Sequence, residues 1–118
     1  MQILQTKVPC GKTIHVFWAN HFFQRLRGLI GRRLAAEEAM LITPCNQVHC
    51  YFMKIPIDVV YLSDMGTVLS VTQAMQPNTC GRIVKKAKSV LELPAFSAKA
   101  YGIVSGENLT FERWEKTK

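Results

Sequence analysis

A mainly β domain is the fold this sequence predicts, a small barrel-like or sandwich sheet of about seven short strands with one main helix packed on it. Three observations point there. Short β-rich runs recur between turn signals along most of the 118 residues. Only one stretch, residues 20–32, carries sustained helical periodicity. With 48% hydrophobic and 19% charged residues, the chain reads as one globular domain, 1–118, able to bury a core without disulfide or metal staples.

The elements follow in order. Pro9-Cys10-Gly11 is a turn signal, and Thr13 to Trp18 follows as a strand with His15 among apolar neighbours. Asn20 can cap a helix by accepting a first-turn backbone N–H. Phe22, Phe23, Leu26, Leu29 and Ile30 then recur at three- and four-residue intervals, so one face of that helix is apolar. Gly28 and Gly31 on the other face each cost about 1 kcal/mol relative to alanine, so this helix depends on its packing. Leu34 to Ala39 has helical propensity but can equally be a loop. Met40 to Thr43 reads as a strand stopped by Pro44, and Val48 to Met53, Ile57 to Leu62 and Val68 to Ala74 read as three more.

Ser63-Asp64-Met65-Gly66 is a turn in which Gly66 supplies positive φ, and Pro77-Asn78 marks another. Ser89 to Leu93 is a strand stopped by Pro94. Ser97 to Tyr101 reads as a short helix with Ser97 as cap and Gly102 as stop. Leu109 to Glu112 closes the sheet, and the charged tail 113–118 is expected to fray. There is no internal repeat, linker or low-complexity segment.

The net charge is +7, from 15 basic and 8 acidic residues, which favours anionic partners without bearing on the fold. No apolar run near the start resembles a secretory signal, and none approaches the roughly 20 residues of a membrane helix. A soluble, cytoplasmic monomer without a membrane span is the expectation. Cys10, Cys45, Cys50 and Cys80 would then be mostly reduced.

The order of motifs resembles domain-of-unknown-function family 192, whose members carry patterns close to R-x-R-G-L-M-G-R, V-H-x-F-x-M-x-x-P-I-D-V-V-F-L-D and V-L-E-L-P-A-G. Here these read Arg25-Leu26-Arg27-Gly28-Leu29-Ile30-Gly31-Arg32, Val48 to Leu62, and Val90-Leu91-Glu92-Leu93-Pro94-Ala95. Glu38 to Ile42 and Gly102 to Leu109 match two further family segments. Glu37 and Ala39 stand where glycines are usual, as does Phe96, and Glu107 stands in place of the usual aspartate. The resemblance implies a compact β-rich domain of no established activity. Many members carry export signals, and none is expected here.

Candidate chemistry gathers between Cys45 and Leu62. Cys45, His49 and Cys50 are natural zinc ligands by type. In an extended strand, however, Cys45 and His49 lie about 13 Å apart, and His49 and Cys50 point to opposite faces. A buried thiol and a hydrogen-bonded histidine are the simpler reading, so no metal and no cofactor is expected. A cysteine nucleophile paired with His49 would need an approach through space that sequence does not show.

Asp58, inside an apolar run, must face solvent or be well paired, because an unpaired buried carboxylate is costly. Pairing with backbone N–H groups, or with Arg25 or Arg27, is favoured over catalysis. Two basic clusters, Arg25, Arg27, Arg32 and Arg33, then Arg82, Lys85, Lys86 and Lys88, could hold an anion, nucleic acid or an acidic protein. Neither has interleaved aromatic residues.

Together these favour a non-catalytic binding or accessory domain for a protein or small anionic ligand. Its candidate ligand-binding residues are Arg25, Arg27, Arg32, His49, Met53 and Asp58. Two alternatives stand beside it. One is an enzyme using His49 and Asp58, with Cys45, as acid–base or metal groups. The other is nucleic-acid binding through the basic surface.

Overall fold

The computed structural model of the chain describes residues 2–19, 34–47, 55–77 and 79–114. The expected main helix (20–32), the strand Val48 to Met53 and the frayed tail beyond residue 114 fall outside them. The described elements are β1 (Gln2–Lys7), β2 (Thr13–Ala19), β3 (Glu38–Ile42), β4 (Ile57–Leu62), β5 (Val68–Met75), β6 (Ser89–Pro94), α1 (Ser97–Tyr101) and β7 (Phe111–Arg113).

The strands form a seven-stranded sheet in the order β5-β4-β6-β3-β2-β1-β7. The β2–β3 pair is parallel and the other pairings are antiparallel. Its two ends approach each other through an isolated bridge between Thr67 and Asn108. Backbone bonds from Val68 N–H to Glu107 (2.8 Å) and from Leu109 N–H to Gly66 (2.9 Å) flank that bridge. No β5–β7 ladder forms, so the sheet is not closed into a barrel. The expected mainly β class with a short helix holds.

Two differences from the sequence reading have clear causes. β1 was not expected. Its inward positions are Leu4 and Thr6, and the Thr6 hydroxyl donates to the Thr110 carbonyl (2.7 Å), so a polar residue stands where alternation looks for an apolar one. Residues expected as helix or loop at 34–39 are a loop as far as Glu37, and β3 begins at Glu38. There the Ala35 backbone N–H donates to the Glu38 carboxylate (2.8 Å), a local bond that favours the turn over a helix.

Alternation along the central strands divides the interior into two layers. Val60 and Leu62 of β4, Leu91 and Leu93 of β6, and Ile14 and Val16 of β2 join Ala98 and Tyr101 of α1 in one cluster. Ile57, Val59 and Tyr61 of β4 and Val90 of β6 point the other way, with Met40, Met75 and Ala87. Both faces of β4 are therefore covered, and all six of its residues are buried. Asp58 shares the α1 face with Val60 and Leu62, and Glu92 shares the opposite face with Val90.

Candidate functional site

Asp58 is fully buried. One carboxyl oxygen, Oδ1, accepts from the backbone N–H of Ala74 (2.8 Å) and of Phe96 (3.0 Å), and Oδ2 accepts from Ala98 N–H (2.9 Å). Each donor has a local reason to need this acceptor. Between Ile57 and Val59, which pair with Met75 and Thr72, the register of β5 slips by one residue. That bulge puts Ala74 at φ 50 and turns its N–H out of the ladder. Phe96 and Ala98 open α1, whose first N–H groups have no partner within the helix.

The expected cap, Ser97, does not fill that role. Phe96 occupies the N-cap position in left-handed conformation (φ 68) and makes no side-chain cap bond, so a carboxyl group from β4 performs the capping. Gly102 (φ 77) stops α1 as expected, with its N–H bonded to Ala98 and Lys99 carbonyls. Asp58 is thus a three-way backbone clamp holding β5 and α1 to β4.

Glu92 differs in its surroundings. It is nearly fully buried, and its Oε1 has no hydrogen-bond partner. Directly opposite it on the neighbouring strands stand Met40 and Val59, both apolar. Burial alone raises its pKa from 4.5 to about 7. The sequence carries the same signal here as at Asp58, one carboxylate inside an apolar strand, yet Glu92 was not singled out.

At the end of β3, residues 44–47 pack against the loop 80–88 on the Glu92 side of the sheet. Cys45 N–H donates to the Lys88 carbonyl and Val84 N–H to that of Asn46, each at 3.0 Å. The Gln47 amide donates to the Gly81 carbonyl (2.9 Å) and the Cys80 thiol (3.1 Å), while the Cys45 thiol donates to the Gln47 carbonyl (2.9 Å). Tyr61 Oη donates to the Arg82 carbonyl (3.0 Å). Val84 and Ala87 insert into the second apolar cluster. Beside this loop, Pro44, Cys45, Asn46, Lys85, Ala87 and Lys88 line a cleft of about 280 Å³.

Arg82, Lys85, Lys86 and Lys88 are all exposed on that loop. The ion pair between described residues is Lys12–Glu37 (3.3 Å), which involves none of these four cations. No acidic residue occurs in the sequence between Asp64 and Glu92.

Of the expected site residues, Asp58 and Cys45 are described and lie on opposite sides of the sheet, the latter packed against the second cluster. Arg25, Arg27, Arg32, His49 and Met53 lie outside the described residues. Among the described residues, no group of three or more histidine, cysteine, aspartate or glutamate side chains is placed to hold a metal. Cys10, Cys45 and Cys80 are not joined in disulfides. No helix among the described residues is long and apolar enough to cross a membrane.

The family model for DUF192, described as an uncharacterized ACR, matches residues 4–111. No curated protein matches the chain. Two solved structures share its fold. One, from Novosphingobium aromaticivorans and of unknown function, has a TM-score of 0.80 at 20% identity, covering 92% of this chain and 83% of that one. The other, from Sinorhizobium meliloti and described provisionally as a transcription regulator, has a TM-score of 0.76 at 22% identity. It covers 93% of this chain and 92% of its own.

Proposed function

The chain belongs to the DUF192 family, and from that premise we propose that it is a non-catalytic binding domain whose partner is anionic, engaged by the loop 80–88 and the cleft beside it. One observation carries this reading. Arg82, Lys85, Lys86 and Lys88 project from a backbone fixed by two other segments, residues 45–47 and the end of β4, with no carboxylate on their own stretch of chain to neutralise them. An uncompensated, preorganised cluster of like charge concentrates counter-ions and raises the on-rate of an oppositely charged partner.

Asp58 is no part of this surface. Its acceptor capacity goes to three backbone donors, and it faces away from Cys45. The alternative in which Asp58 and Cys45 act together on a substrate has no support from this arrangement.

The test is retention of the full chain by an immobilised polyanion such as heparin, measured against salt. The expected result is binding that weakens steeply as salt screens the charges, and a loss of about ten-fold or more for Lys85→Ala/Lys86→Ala at low salt. Absence of retention at low salt, or equal retention of the variant, would overturn the proposal. Nucleic acid is the second reading, favoured by the same four cations and by the description of the Sinorhizobium structure. A duplex or single-stranded oligonucleotide in the same assay separates it from other polyanions.

A further inference from the structure

We infer that the partner of the 80–88 loop is the surface of an anionic membrane, with Ile83 entering the boundary between headgroups and acyl chains. This names the partner class of the surface proposed above and rests on that reading. Ile83 is 59% exposed, one of four large apolar side chains left in solvent among the described residues, and in the chain it lies between Arg82 and the Lys85–Lys86 pair. Its exposure is imposed by the backbone. The Arg82 carbonyl on one side is held by Tyr61, and Val84 on the other is tied to Asn46 and packed inward. Ala87 N–H then returns to the Val84 carbonyl (2.9 Å), and Lys88 N–H is anchored to the Leu62 carbonyl (2.8 Å). The loop therefore turns two aliphatic residues, Val84 and Ala87, into the core and leaves the third exposed on the same short stretch as the four exposed cations.

That combination selects among anionic partners. A base stacks on planar rings, and Ile83 is not one. An exposed aliphatic residue flanked along the chain by exposed Lys and Arg is instead the combination that partitions into a lipid interface, apolar contact and headgroup attraction acting together. Each basic side chain near such a surface is worth on the order of five-fold in partitioning, and one shallow apolar side chain about as much again. The cleft of about 280 Å³ lined by Lys85, Lys88 and Asn46 lies beside the loop, where a headgroup would reach it.

The experiment is co-sedimentation of the full chain with phosphatidylcholine vesicles, with and without phosphatidylserine, alongside the heparin assay. Expected are binding to the phosphatidylserine vesicles alone and a loss of roughly ten-fold or more for Lys85→Ala/Lys86→Ala. Ile83→Ser should lose about five-fold on vesicles and nothing on heparin. Met65→Ser, at another exposed apolar residue (80% exposed), should bind vesicles as the unaltered chain does. Retention on heparin without vesicle binding overturns the membrane inference and leaves the anionic-partner reading standing. Vesicle binding that Ile83→Ser does not weaken also overturns it. Failure in both assays removes both.

Discussion

Asp58 and Glu92 sit on adjacent strands one position apart, Asp58 opposite Leu93 and Glu92 opposite Val59, yet they face opposite sides of the sheet. Both are buried. The first accepts from three backbone N–H groups, and the second meets methionine and valine. The same functional group is therefore a clamp on one face and a liability on the other. What separates them is the geometry of the neighbouring backbone: a bulge and a helix start turn donors toward Asp58, whereas regular pairing around Glu92 keeps its neighbours' amides in the ladder.

The largest expected effect breaks the clamp. Asp58→Ala should destabilise the chain by about 3–5 kcal/mol in urea unfolding, because it strands buried N–H groups on β5 and α1 at once. Asp58→Asn should cost about half as much. Its oxygen can keep the bonds to Ala74 and Phe96, while its amide cannot accept from Ala98. Equal stability of Asp58→Ala and the unaltered chain would show that α1 is capped by other means.

Next comes the opposite face. Between pH 4.5 and about 7 the folded chain holds a proton on Glu92 that the unfolded chain has released. The group's contribution to stability is thus complete below pH 4.5 and is lost as pH rises to about 7. The shift is worth about 3–4 kcal/mol at most, from roughly 1.4 kcal/mol per pH unit. Glu92→Gln should flatten that part of the stability profile and leave the variant the more stable protein at pH 8, measured by urea unfolding across pH. A profile unchanged by the substitution would mean that the carboxyl is solvated or paired.

The smallest effect concerns the α1 start itself. Phe96, at φ 68, and Glu37, at φ 65, hold left-handed backbone that glycine adopts without steric cost. Phe96→Gly keeps the N–H that Asp58 accepts and relieves the backbone, so it should stabilise by about 1 kcal/mol, or a few degrees in Tm. Glu37→Gly should do slightly less, since it also removes the exposed ion pair with Lys12. A loss of stability in Phe96→Gly would show that the half-exposed ring does more than the backbone strain costs.

Much of the fold was legible because it rests on local patterns. β2, β4, β5 and β6 are apolar runs bounded by turn residues, and Gly66 and Gly102 sit where positive φ is needed. β1 escaped because Thr6 faces inward and finds its partner in Thr110, a contact 104 residues away in the chain. The basic loop was visible as a charge cluster, but nothing local distinguishes a solvated lysine face from a fixed projection around an exposed isoleucine. Tyr61, Asn46, Gln47 and Leu62 make that difference, and all four lie in other segments.

Family membership, the mainly β class and the need for Asp58 to be paired are thus properties of the residue order, since periodicity, turn chemistry and the cost of a bare buried charge act over short stretches. Which partner Asp58 takes, why Glu92 has none, and how the 80–88 loop stands out from the sheet were decided only by tertiary structure. Hydrogen bonding is directional and short-ranged, so its outcome depends on which distant backbone groups the sheet brings within about 3 Å.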